Sequence, residues 1–124
     1  MNSDVNILIV DDSAYLRKLI HNSLADYGFK QLLEACDGKE ALDKMMEHEV
    51  NLIISGIHMA KVNGLELLRA IRNHSGLKQI PFIVLTSEPQ GDMFRAVMQA
   101  GATGYLKKPF NDQDLIAKIE SILE

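Results

Sequence analysis

Two acidic side chains follow a short apolar segment near the start of the sequence. Asp11 and Asp12 come directly after Ile7-Leu8-Ile9-Val10. That run predicts a strand buried on both faces, which would place the two carboxylates at one end of a sheet. Adjacent carboxylates can hold a hard divalent cation such as Mg²⁺, which takes oxygen ligands and retains several waters. For an isolated pair the simpler explanation is that Asp12 favours the start of the following helix.

Other polar residues follow the remaining strand-like runs in the same way. In an open parallel sheet, ligands and reactive groups collect where strands end in loops. The residues at such places are Gly56, His58 and Asn63-Gly64 after the third run, Thr86-Ser87 after the fourth, Tyr105 within the fifth, and Lys108-Pro109 after it. Any one of these pairs is common in loops, so the prediction of a shared site depends on their occurring together.

Five apolar runs alternate with five amphipathic helical patterns along the chain. The runs are residues 7–10, 32–35, 52–56, 81–85 and 104–106. Strict alternation predicts an α/β fold with a doubly wound parallel sheet and helices on both faces. The flavodoxin-like (βα)5 topology, with strand order 2-1-3-4-5, fits best and places Asp11-Asp12 beside Gly56-Ile57-His58. Glu34 interrupts the second run, which predicts an edge strand.

Local signals set the ends of the helices. Ser13 is the expected cap of the first helix, whose outer face carries Arg17, and Gly28 ends it. Asp37-Gly38 predicts a turn before the second helix. Gly101 is expected to close the fourth helix, and either Asn111 or Asp112 is expected to cap the fifth.

Length and composition restrict the classes of protein. The 124 residues fit one domain spanning 1–124, and 47% apolar with 24% charged residues is ordinary for a globular protein. A formal net charge of −4 disfavours direct nucleic-acid binding. Cys36 is the only cysteine, and the start lacks a signal or membrane-spanning pattern. These features predict a soluble cytoplasmic protein without membrane contact, either a monomer or a weak dimer. The first strand is not followed by a glycine-rich phosphate loop, so no nucleotide or flavin cofactor is expected.

The ordered set of polar residues resembles the receiver domains of two-component response regulators, of the chemotaxis-regulator type, from residue 7 to residue 123. The resemblance implies phosphorelay signal transduction. It implies that Asp11 and Asp12 hold Mg²⁺ together with a phosphoacceptor carboxylate and one backbone carbonyl, here that of His58. Lys108 matches the lysine that contacts phosphoryl oxygens. Thr86 and Tyr105 match the pair that moves on phosphorylation.

Gly56 is the main departure from the family pattern, because it stands where the family has the aspartate that accepts phosphate. Glycine has no nucleophile to offer. Ser55 is not a substitute, since alternation along the strand sends its side chain to the other face of the sheet. His58 is expected to be a surface imidazole. Ala60 is a second departure, at a position where the family usually has proline.

These features favour a receiver-like module, or pseudo-receiver, that is not phosphorylated at the usual site and acts through protein contacts. The expected surface is the fourth helix, fifth strand and fifth helix, and the expected partners are a histidine kinase or an output protein. We expect no enzymatic activity, weak or absent Mg²⁺, and pairing of Lys108 with Asp11 or Asp12. The alternative is a phosphorylatable response regulator carrying an engineered or natural Asp-to-Gly change at position 56. A small-molecule or enzyme domain on the same frame is a third hypothesis.

Overall fold

The computed structural model describes residues 4–123 as five strands and five helices in strict alternation. Residues 1–3 and 124, which the predicted domain 1–124 includes, lie outside the described residues. The strands are β1 (Asn6–Val10), β2 (Gln31–Ala35), β3 (Leu52–Gly56), β4 (Phe82–Thr86) and β5 (Gly104–Lys107). The helices are α1 (Ala14–Tyr27), α2 (Gly38–Glu47), α3 (Gly64–Arg72), α4 (Asp92–Gln99) and α5 (Asp112–Leu123).

The strands form one parallel sheet in the order β2-β1-β3-β4-β5, which confirms the predicted flavodoxin-like fold. β2 lies at one edge, as Glu34 indicated. The central register pairs Val10 with Ser55, and Gly56 with Leu85. The carboxyl ends of β1, β3 and β4 therefore meet at one end of the sheet, where the chain changes direction of winding.

Each face of the sheet is covered by its own apolar cluster, because side chains alternate along every strand. One cluster joins β-strand residues such as Leu8 and Ile53 to α2, α3 and α4. The other joins residues such as Ile9 and Ile54 to α1 and α5. Helices cover both faces, which is why the central strands are almost continuous apolar runs in the sequence. Within residues 4–123, no helix is both long and apolar enough to span a bilayer.

Side-chain caps fix where most helices begin. Ser13 caps α1 by accepting from the Leu16 amide at 3.1 Å, as predicted. Asp37, predicted only as part of a turn, caps α2 by accepting from the Glu40 amide at 2.9 Å. Of the two candidates for α5, Asn111 is the residue whose Oδ1 accepts from the Asp114 amide. Gly28 ends α1 with φ of 121°, a conformation that favours glycine.

Candidate functional site

A cavity of about 290 Å³ opens at the carboxyl ends of β1, β3 and β4. It contains most of the residues that the sequence predicted to lie together. Its lining includes Asp11, Asp12, Gly56, His58, Thr86, Ser87 and Lys108. Among the described residues, Tyr105, Pro109 and the pair Asn63-Gly64 do not line it, so the predicted constellation is assembled only in part.

Asp11 is the buried acid of this cavity, with a relative exposure of 3%. Its Oδ1 accepts from the Ser13 amide at 2.9 Å, and its Oδ2 lies 3.7 Å from the Lys108 ammonium. Burial raises the pKa of the Asp11 carboxyl above its usual value, although the Ser13 amide and Lys108 partly oppose that rise. The neighbouring Asp12 is exposed to solvent. Of the two partners that the sequence predicted for Lys108, the structure therefore shows Asp11 and not Asp12.

Gly56 and Asp11 share one small volume. A Cβ built on Gly56 would lie 2.6 Å from Oδ2 and 3.4 Å from Cγ of Asp11. Real Cβ atoms do not approach a carboxylate oxygen that closely, so the Asp11 carboxylate takes space that a side chain at position 56 would need. The sequence predicted that glycine leaves the pocket short of one carboxylate. It did not predict that the next carboxylate fills the space.

Two polar residues close to Gly56 in sequence, Ser55 and His58, do not replace a missing nucleophile. Ser55 is fully buried, and its hydroxyl donates to the Gly56 carbonyl at 2.7 Å. Alternation places its side chain on the same face as Ile53, away from the side of the sheet that Gly56 faces. His58 is exposed at the cavity rim, which agrees with the expected surface imidazole.

Thr86 and Tyr105 occupy different environments. Thr86 is 7% exposed, and its Oγ1 accepts from the Glu88 amide at 2.9 Å. Tyr105 is 39% exposed and packs edge-on against Phe94 with 4.9 Å between ring centroids. The Lys118 ammonium lies 5.8 Å from the Tyr105 ring centroid. The tyrosine therefore belongs to the outer face of α4, β5 and α5.

The comparisons with known proteins agree with this geometry. The family described as "Response regulator receiver domain" matches residues 7–120. The chain belongs to the response regulator receiver domain family. Over 120 residues it is 39% identical to the chemotaxis protein CheY of Pseudomonas aeruginosa, covering 97% of each chain. It is 34% identical over 124 residues to CheY-3 of Vibrio cholerae, covering 100% of this chain and 95% of that one.

Solved structures of other receivers show the same fold. The chemotaxis response regulator CheY4 of Vibrio cholerae superposes with a TM-score of 0.89 at 34% identity, covering 95% of this chain and 98% of that one. The receiver domain of the sensor histidine kinase PA1611 from Pseudomonas aeruginosa has a TM-score of 0.88 at 24% identity, covering 97% and 98%. That structure holds a magnesium ion in its active-site cleft.

The oxygen donors for a cation in this receiver are few. Within residues 4–123, no group of three or more His, Cys, Asp or Glu side chains is arranged to hold a metal. The donors that the family pattern indicates are the carboxylates of Asp11 and Asp12 and the carbonyl of His58. Of these, Asp11 has one oxygen bound to the Ser13 amide and the other facing Lys108. The donor set is therefore a poor fit to Mg²⁺, which demands regular octahedral geometry.

Arg17 supports the site by holding the main chain at Asp11. The sequence had placed this residue only on the outer face of α1. Its Nη1 donates to the Asp11 carbonyl at 2.5 Å, and its Nε donates to Glu34 Oε1 at 3.2 Å. The side chain thereby ties the end of β1 to α1 and to the edge strand β2. Helical periodicity could not reveal this contact, because the contact depends on how α1 packs across the sheet.

Proposed function

We propose that this receiver domain works as a two-component signalling module that takes no phosphate at position 56 and signals through protein contacts. The observation that carries the proposal is the pair Gly56 and Asp11. The first has no side chain, and the carboxylate of the second occupies the adjoining space. The remaining acid at the cavity mouth, Asp12, is exposed and follows β1 rather than β3. On this proposal the domain has no enzymatic activity of its own and functions in the cytoplasm as a monomer or weak dimer.

The contact surface proposed for partners is the outer face of α4, β5 and α5. Phe94 and Tyr105 provide an aromatic centre there, with Tyr105 partly exposed. Lys107 and Lys118 add positive charge to this face of a chain whose net charge is −4. An exposed aromatic side chain is a suitable anchor for a protein interface, where tyrosine is enriched. The two lysines would favour a partner with an acidic surface by charge complementarity. A histidine kinase or an output protein is the proposed partner, and nucleic acid is not.

The alternative is a phosphorylatable regulator in which position 56 has been changed from aspartate, by engineering or in a natural lineage. The observation in its favour is that Asp11, Asp12, Thr86 and Lys108 all remain at the cavity. The natural codon for position 56 separates an engineered change from a natural one. Phosphorylation of a Gly56→Asp variant shows whether the rest of the site still works.

Beryllofluoride, an imitator of a phosphorylated acid, is expected to leave the switch residues unchanged. It needs a carboxylate at position 56 to bind, and a ligand shifts a conformational equilibrium only by binding one state better. NMR spectra with Mg²⁺, recorded with and without beryllofluoride, should show no shift at Thr86 or Tyr105. Shifts running from Thr86 to Tyr105 and α4 would mean that the switch still responds to its pocket, and the proposal would fail.

Divalent metal is expected to bind this domain far more weakly than it binds a receiver with an acidic residue at position 56. One carboxylate ligand is missing, and Asp11 would have to leave Lys108 to serve another cation. Calorimetric titration with Mg²⁺ at neutral pH should give a Kd on the order of millimolar or weaker. The matched control is Gly56→Asp, which should bind more tightly. Micromolar binding by the unchanged chain would contradict the expectation.

A further inference from the structure

The Asn63-Gly64 pair at the start of α3 combines a reactive sequence with a closed geometry. Asn63 Oδ1 accepts from the Glu66 amide at 2.9 Å, and the Asn63 amide donates to Glu66 Oε1 at 2.9 Å, forming a reciprocal capping box. The Gly64 amide donates to the Ile57 carbonyl at 2.7 Å. The Gly64 amide nitrogen and the Asn63 side-chain oxygen are therefore both held in hydrogen bonds.

Glycine is required at position 64 for steric reasons. A Cβ there would lie 2.9 Å from the Cα of Ile57, which is main chain and cannot move aside as a flexible side-chain end could. Asn63 serves as the cap, a position where asparagine is among the preferred residues. The fold therefore combines a good cap with an obligatory glycine, although glycine is the neighbour that least hinders cyclisation of an asparagine side chain.

The chemistry of such a pair needs only water. The deprotonated Gly64 nitrogen attacks Cγ of Asn63, a C–N bond closes a five-membered imide, and the side-chain nitrogen leaves as ammonia. Water then opens the imide at either carbonyl, giving an aspartyl or an isoaspartyl linkage. The attack cannot occur while the Gly64 amide is donated to Ile57 and the Asn63 side chain is held over α3.

We propose that Asn63 is a site of spontaneous deamidation that the native fold protects. It reacts only when the start of α3 detaches from the loop after β3, which contains Ile57. The fraction of chains in which Asn63 is converted then increases with the time that the domain has spent in that locally open state. The isoaspartyl product adds one atom to the main chain and cannot keep both the capping box and the Gly64–Ile57 bond. Because Ile57 and His58 line the cavity, the same event alters the cavity wall. This inference does not depend on whether position 56 accepts phosphate.

The test compares conversion of Asn63 in native and urea-unfolded protein at mildly alkaline pH. Trypsin cleaves after Lys61 and Arg69, so the peptide of residues 62–69 reports the amide-to-acid mass change by mass spectrometry. In the folded protein Asn63 can react only while the start of α3 is locally open. Native conversion should therefore be slower than conversion in urea by at least about tenfold. Asn22, followed by Ser23, is an internal reference that should convert more slowly than Asn63 in urea.

A matched pair of variants isolates the capping box. Glu66→Ala removes the side-chain acceptor and should raise native conversion roughly three- to tenfold, with no change in urea. Glu66→Gln keeps an oxygen at the same place and should convert at the rate of the unchanged chain. Equal rates in native and unfolded wild-type protein would overturn the proposal without any variant. So would a Glu66→Ala protein, folded by circular dichroism, that converts no faster than Glu66→Gln.

Discussion

Gly56→Asp is expected to take up one phosphoryl group per chain from acetyl phosphate in the presence of Mg²⁺, while the unchanged chain takes up none. The new carboxylate supplies the nucleophile that glycine lacks. It attacks phosphorus, the bond to the acetate oxygen breaks, and acetate leaves. Lys108 and Thr86 already line the cavity at that point. Intact-mass measurement, followed by brief exposure to base that removes an acyl phosphate, reports the gain.

The variant also has to displace Asp11. A Cβ at position 56 would lie 2.6 Å from Asp11 Oδ2, so the Asp11 side chain must rotate, and its contact with Lys108 is lost. After that rotation we expect Asp11 to be available as a cation ligand and the Lys108 ammonium to be available to contact phosphate. Gly56→Asn is the matched control, with the same shape and no nucleophilic carboxylate. A base-labile phosphoryl group on the unchanged chain would contradict the proposed function.

Asp11→Asn is expected to raise the free energy of unfolding at pH 7. Burial raises the folded-state pKa of Asp11 above the unfolded value of 3.8. The folded state thus binds this proton more tightly than the unfolded state does. Stability falls as pH rises from 3.8 through the folded pKa, because ionisation then places a charge in the buried site. Asparagine removes the charge and can still accept from the Ser13 amide.

The pH dependence distinguishes this explanation from simple repacking. At pH 7 the Asp11→Asn protein should resist urea better than the unchanged chain. The difference should shrink as pH falls below 3.8, where the aspartate becomes protonated in both the folded and the unfolded state. Asp12→Asn is the matched control, because Asp12 is exposed and its removal should change stability by less than about 0.5 kcal/mol. An Asp11→Asn protein that is less stable at both pH values would show that the Lys108 contact outweighs burial.

The sequence predicted the fold in detail because its signals are local and mutually consistent. Apolar runs such as residues 7–10 specify buried strands, and the alternation with helices leaves few topologies for a parallel sheet. The edge position of β2 followed from one glutamate. The cap of α2 was missed because Asp37-Gly38 has the composition of a turn, whereas the Asp37 carboxylate also reaches the Glu40 amide.

The sequence predicted which residues lie at the site better than it predicted how their side chains are placed. Strand ends located Asp11, Gly56, Thr86 and Lys108 at one cavity, but periodicity does not determine side-chain rotamers. The position of the Asp11 carboxylate over Gly56 is set by Ser13 in the same loop and Lys108 in the loop after β5. The Arg17 contact with the Asp11 carbonyl depends in the same way on the packing of α1 against β2.

The main chain sets the shape of the cavity. The Asp11 amide donates to the Ala35 carbonyl at 3.1 Å, the Gly64 amide to Ile57 at 2.7 Å, and the Lys108 amide to Thr86 at 2.8 Å. None of these bonds involves the side chain at position 56. A lineage of such domains can therefore lose its acceptor in one substitution without losing its architecture. Selection for stable folding alone would not remove variants that lack the acceptor side chain, whereas selection for phosphate-dependent signalling would.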